Sequence, residues 1–163
     1  MAGKSEAEIA AEFTLLEQIE ATETAGITAL PGAVDLLNYL NKAGIPWAIV
    51  TSGSMPVARA RHQVGGFQRQ RCLSRRTGQT RQTGAGCVFA GRTTAWPAPQ
   101  ECVVVEDAPA GVLSGLAAGC HVIAVNAPAD TPRLADVDFA LDSLTQLSVA
   151  KQPNGDVVVL RKT

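Results

Sequence analysis

Apolar positions along the chain fall into blocks with two different rhythms. Ile9, Phe13, Leu16 and Ile19 recur at helical spacing and Ser5 stands where it can cap, so residues 5–24 are predicted to form a helix. "LPG" at 30–32 interrupts the chain. Pro31 then sits at or just before the start of a second helix, over about 33–42, which Gly44 stops. "PWAIVTSGS" reads as a buried strand running into a polar loop, and "MPVARARHQ" as the helix that follows. Further on, "ECVVVED" is a continuous apolar strand ending on two carboxylates. "APAGVLSGLAAGC" is a helix of small residues able to lie close to a sheet, and "HVIAVN" is another strand. "DFALDS" is a short strand, "LTQL" begins a helix, and "GDVVVLR" is a last strand after a "PNG" turn. Strands that are apolar throughout and alternate with helices imply an α/β domain with a parallel sheet covered on both faces.

One stretch breaks the pattern. Residues 66–100, "GFQRQRCLSRRTGQTRQTGAGCVFAGRTTAWPAPQ", are rich in Arg, Gln, Thr and Gly and contain no Asp or Glu. They follow neither a period of 3.6 nor a period of 2. The plainest reading is a flexible basic loop, or an arm that contacts RNA. Its charge is isolated, however, and a working arm needs phosphate contacts over a wider surface.

Composition narrows the classes. A 163-residue chain can bury one core. A net charge of -1 gives no global reason to expect a nucleic-acid or anionic-membrane partner. No apolar run reaches membrane-spanning length. "MAGKSEAEIAAEF" lacks the apolar core of a signal peptide. Cys72, Cys87, Cys102 and Cys120 form no C-x-x-C pair, so zinc spacing is absent and a reducing cytoplasm is the expected setting.

Ligands of a parallel α/β sheet sit outside the carboxyl ends of its strands, and two strand ends here carry chemistry. Thr51, Ser52 and Gly53, followed by Ser54, offer hydroxyls and backbone N–H groups beside a glycine, with a helix start just beyond. That combination can cradle a phosphate, or it can simply cap the helix. Glu106 and Asp107 are adjacent carboxylates at the end of an apolar strand. Such a pair is costly unless something balances it, and a hard cation such as Mg²⁺ does so through oxygen ligands. Asp107 can equally cap the helix beginning at Ala108-Pro109. Taken together, the two strand ends suggest Mg²⁺-assisted phosphoryl chemistry.

"AIVTSGS" and "CVVVEDAPAGVLSGLAAGCHVIAVN" resemble the second and fourth motifs of the haloacid dehalogenase superfamily, most closely its small bacterial sugar-phosphate and hexitol-phosphate phosphatases. The "EDAPAGVLSGLAAG" string is the specific part. The resemblance implies a Rossmann-like core with a helical cap. It assigns Thr51, Ser52 and Gly53 to the phosphoryl group and Glu106 and Asp107 to Mg²⁺. It implies hydrolysis of a small sugar or sugar-alcohol phosphate through an aspartyl-phosphate. In that family a D-x-D-G-T strand end supplies the nucleophile and the acid/base, and a third motif supplies a Lys.

Neither motif is present: no D-x-D-G-T string occurs, and no Lys lies between Lys42 and Lys151. The resemblance therefore predicts residues 1–28 to be a remnant of the cap, with Met1 internal to a longer protein. Residues 29–163 are predicted to be a core lacking its first strand. The odd stretch also has a genetic-code reading. Residues 67–76 admit a coding that gives PAPEVFVTA from the third base of each codon. Residues 76–96, read from the second base, admit ERVKRGKPEPDAYLLGAQLLG, which matches the family's third motif and the helix after it. Residues 67–96 are thus expected to be out-of-frame translation. Without nucleophile, acid/base and Lys, the chain is expected to be inactive, or a non-catalytic remnant binding Mg²⁺ or phosphate weakly. A receiver-type domain with an acidic phosphorylation pocket would need a further strand-end Asp.

Overall fold

The computed structural model describes residues 3–51, 53–66, 73–75 and 97–162. Ser52, Cys72, Cys87 and all of the 67–96 stretch except the backbone of 73–75 lie outside the described residues.

Local capping sets the first helix. Ser5 Oγ accepts the Glu8 N–H at 3.3 Å while the Glu8 carboxylate accepts the Ser5 N–H at 2.8 Å, a reciprocal box that opens α1 (Glu6–Thr22). α1 buries none of its residues. It lies against α3 (Met55–Val64), where Arg61 reaches Glu20 at 3.9 Å. The second predicted helix is α2 (Ala33–Ala43), and Gly44 ends it in the left-handed region at φ 66°. Gly32, at φ 84°, starts it. A Cβ there would stand 2.9 Å from the Thr145 nitrogen, so glycine permits the close approach of the two segments.

Three sheets are present among the described residues. β1 (Ile49–Thr51) pairs in parallel with β2 (Leu73–Arg75). β3 (Val103–Glu106), β4 (His121–Val125) and β5 (Phe139–Leu141) form a parallel sheet in that order. β6 (Leu147–Lys151) and β7 (Val157–Arg161) form an antiparallel hairpin around Gly155, which turns at φ 97°. The architecture is α/β, as expected, but with parallel and antiparallel sheets rather than one parallel sheet. "LTQL" does not start a helix. It makes a single 3-10 turn, Leu144–Gln146, that feeds directly into β6. The expected buried strand in "PWAIVTSGS" shrinks to three residues. Trp47 before it is buried, while Val50 within it is exposed.

The core has two layers of side chains on either side of β4. Val122 and Ala124 join Val112 of α4 (Pro109–Ala118), with Val104 and Leu116 against them. Ile123 and Val125 join Leu141 and Leu147, with Leu36 of α2 and Val149 and Val159 of the hairpin. The small-residue helix behaves as its sequence suggests. A Cβ on Gly115 would stand 2.8 Å from Val122 Cγ2 and 3.3 Å from Val104, so glycine lets α4 lie directly on the sheet.

Among the described residues, however, coverage of both faces fails at β3. Val104 faces α4, and alternation along the strand turns Val103 and Val105 to the other side, where they are 45% and 43% exposed. The hairpin and α2 reach β4 and β5 but leave β3 open on that face.

Candidate functional site

The carboxyl end of β3 puts Glu106 half-buried and Asp107 exposed at the approach to α4. Glu106 Oε1 accepts the backbone N–H groups of Asp107 and Ala108, both at 3.1 Å. The rest of that carboxyl group lies across Gly111: a Cβ there would overlap Glu106 Oε2, Cδ and Cγ. Glycine at 111 is therefore what lets this carboxylate fold back onto the first turn of the helix. Burial pushes the Glu106 carboxyl up. Contact with the Asp107 carboxyl adds to the rise, and the two N–H donors pull against it. An acidic pair in this state gains from a cation.

Asp107 does not cap α4. The capping position is Ala108, which has no side-chain cap bond, and Pro109 follows at the first turn. The plainer role weighed for Asp107 is therefore not the one its side chain takes.

The carboxyl end of β1 is built differently. Thr51 Oγ1 accepts the Gly53 N–H at 3.0 Å, which folds the loop tightly before α3. Ser54 occupies the N-cap position of α3 with no side-chain cap bond. It is 8% exposed, and its hydroxyl has no hydrogen-bond partner among the described residues. An orphaned buried hydroxyl costs about 1–3 kcal/mol, and a ligand oxygen would relieve that cost. The first turn of α3 has no acidic residue, so its positive dipole end favours an anion. Ser52, the remaining predicted phosphate ligand, lies outside the described residues.

Of the predicted site residues, Glu106 and Asp107 are brought together, as are Thr51 and Gly53. The two pairs belong to different sheets, and no strand pairing or hydrogen bond among the described residues joins them. No third His, Cys, Asp or Glu joins Glu106 and Asp107 among the described residues. Two adjacent carboxylates suit Mg²⁺, which commonly takes one or two of them and fills its shell with water and phosphate oxygens. Sequence reasoning passed over Gly111, whose role is visible only as a close approach. Ser54 entered only as a neighbour of the Thr51–Gly53 cradle or a helix cap, and its buried, unpaired hydroxyl is visible only in the structure. The available signal for Ser54 was a hydroxyl one residue past the glycine at a helix start.

A family model described as haloacid dehalogenase-like hydrolase matches residues 2–119. The chain is 68% identical over 162 residues to Hexitol phosphatase A of Escherichia coli (strain K12), covering 98% of this chain and 74% of that one. It is 31% identical over 139 residues to the Validoxylamine A 7'-phosphate phosphatase of Streptomyces hygroscopicus subsp. limoneus, covering 77% of this chain and 64% of that one. Its fold resembles CbbY from Rhodobacter sphaeroides in complex with phosphate, with a TM-score of 0.70 at 22% identity, covering 89% of this chain and 67% of that one. Among the described residues, no helix is long and apolar enough to cross a membrane.

Proposed function

The chain belongs to the haloacid dehalogenase-like hydrolases, and on that premise we propose that it carries the phosphoryl-binding and Mg²⁺-binding parts of a phosphatase for small sugar or sugar-alcohol phosphates, such as hexose or hexitol phosphates. The observation that carries this reading is the Glu106–Asp107 pair at the end of β3, held in place by the opening that Gly111 leaves. The substrate class rests on the similarity to Hexitol phosphatase A.

In this reading Asp107 and Glu106 would hold Mg²⁺, which would supply positive charge against the phosphoryl oxygens. The chain's own groups do the rest of the binding. The Thr51–Gly53 turn, closed by the Gly53 N–H on Thr51 Oγ1, shapes the loop, Ser54 offers its unpaired hydroxyl, and the start of α3 adds its dipole. Thr51 orients the loop and Ser52 contributes its hydroxyl to the phosphoryl group. Turnover by the intact machinery would pass through an aspartyl-phosphate. The 163 residues contain neither the D-x-D-G-T string nor a Lys between Lys42 and Lys151. Groups that act as a unit fail together, so this chain binds without turning over.

The domain reading follows the same lines. Residues 1–28 are part of a helical cap, and residues 29–163 are a core lacking its nucleophile strand. Two open strands support this. β3 leaves Val103 and Val105 exposed, and β1 leaves Val50 exposed, each with one partner strand beside it among the described residues. Residues 67–96 are out-of-frame sequence, supported by the alternative codings of that stretch. The protein works in the cytoplasm.

Two experiments test the parts separately. Mn²⁺ standing in for Mg²⁺, followed by electron paramagnetic resonance, is expected to bind the chain and to lose about tenfold or more in affinity in Asp107→Asn. Equal binding by both proteins would remove the metal assignment. Sequencing the coding DNA across codons 60–100 tests the reading frame. Codons incompatible with PAPEVFVTA and GKPEPDAYLLGAQLLG in the shifted frames would remove it.

A further inference from the structure

At the end of the β3–β4 pair opposite Glu106, two cysteines stand side by side. The parallel register pairs Val103 with His121, so one step back it sets Cys102 beside Cys120. The His121 N–H donates to the Cys102 carbonyl at 3.0 Å, which extends the pairing through that step. Alternation puts both thiols on the α4 side of the sheet, in line with Val104 and Val122, which both pack against α4. Neighbouring strands run about 4.8 Å apart, inside the span of roughly 4.4–6.8 Å between Cα atoms that a disulfide bridges. Both residues are free thiols; Cys120 is buried and Cys102 is partly exposed.

We propose that Cys102 and Cys120 form a redox-sensitive pair that a low-molecular-weight disulfide of the glutathione class oxidises to an intramolecular disulfide, clamping β3 to β4 across α4. The order of events follows from exposure. The Cys102 thiolate attacks one sulfur of the small disulfide; that S–S bond breaks and one small thiol leaves with the proton Cys102 gave up. Cys120 then loses its proton to solvent and attacks the Cys102 sulfur. The mixed disulfide breaks and the second small thiol leaves. One small disulfide is reduced to two thiols, and the protein dithiol is oxidised to one disulfide.

Burial pushes both thiols up. The neighbouring charges, Glu101 on Cys102 and Cys102 on Cys120, add to the rise. Little thiolate is therefore available at neutral pH and the exchange is slow. For the same reason the reduced pair gains little from ionisation, so the bond resists reduction once made. The pairing takes no part in phosphate or metal binding and stands whether or not that reading holds.

The test is oxidation of the full chain with oxidised glutathione, followed by peptide mapping without reductant. The expected result is one linked peptide joining Cys102 to Cys120, a protein mass lower by two hydrogens, and a return to the starting mass with dithiothreitol. Concentrated urea during oxidation is expected to abolish the selectivity, because the register that pairs the two is lost. In Cys72→Ser/Cys87→Ser, the same monomeric product is expected. Links scattered among all four cysteines, a stable mixed disulfide on Cys102 that Cys120 does not resolve, or the same selectivity in urea would each overturn the proposal.

Discussion

Helix α1 and helix α4 both follow from their sequences, and they end in opposite situations. α4 has a mean of small residues, no side-chain cap and a glycine at its centre, yet Val112 on it is fully buried. α1 has a reciprocal capping box and apolar residues at helical spacing, yet Phe13 is 66% exposed and nothing on the helix is buried. Capping and periodicity decide whether a helix forms. Only a partner surface decides whether it contributes to a core. α4 meets two strands across Gly115, whereas α1 meets mainly α3, another helix with a single buried residue, Val57.

That contrast makes ordered predictions. The largest effect belongs to the layer around β4. Ile123→Ala, at a fully buried position, is expected to cost about 2–5 kcal/mol in urea unfolding. That is enough to abolish a cooperative transition in a chain of marginal stability. A cost close to zero would mean that the β4 layer is not the core.

Gly111→Ala comes next. The added Cβ displaces Glu106 from the Asp107 and Ala108 N–H groups, two hydrogen bonds together worth about 1–3 kcal/mol. A Mn²⁺ titration is expected to show weaker binding at the same time. A loss of stability with unchanged Mn²⁺ binding would separate Glu106 from the metal.

A smaller effect concerns pH. Burial pushes the Asp138 carboxyl up, but bonds from the His121 ring at 2.8 Å and the Val122 N–H at 2.7 Å, with the His121 charge, outweigh it and hold the carboxyl below its ordinary value. A lowered folded-state value means the stabilisation is complete above the unfolded value, about pH 3.9, and is lost as pH falls through the folded one. Melting temperature is therefore expected to drop on that acid side, and Asp138→Asn to flatten the drop. Glu106 runs the other way: its raised value makes the carboxylate a burden as pH rises past the unfolded value, and a bound cation relieves it.

The smallest effect is at α1. Phe13→Ser is expected to change stability by no more than about 0.5 kcal/mol, because an exposed side chain has little packing to lose. A cost like that of Ile123→Ala would show that α1 is covered in solution.

The same contrast marks how far the sequence could be read. Element positions were legible where local chemistry dictates them: the Ser5 cap, the Gly44 stop, the small-residue helix and the "PNG" turn all stand where expected. What failed were inferences about surroundings. A continuous apolar strand implied two covered faces, but Val103 and Val105 stay exposed with no element over them among the described residues, and strand residues cannot report a missing neighbour. "LTQL" carried a helical start, yet the chain turns once and enters β6, because the pairing partner of that strand lies beyond it in β7. At the site, Glu106 and Asp107 were legible as charge in an apolar context. Gly111 was not, because a close approach leaves no signal in composition.

The proposal that most needs testing is that this chain holds binding groups without the groups that react. Phosphate release from a hexose or hexitol phosphate, measured with the purified 163-residue chain and Mg²⁺ at neutral pH, tests it most directly. The account predicts release no faster than in buffer alone. Release that is proportional to protein concentration, abolished by EDTA and lost in Asp107→Asn would contradict it.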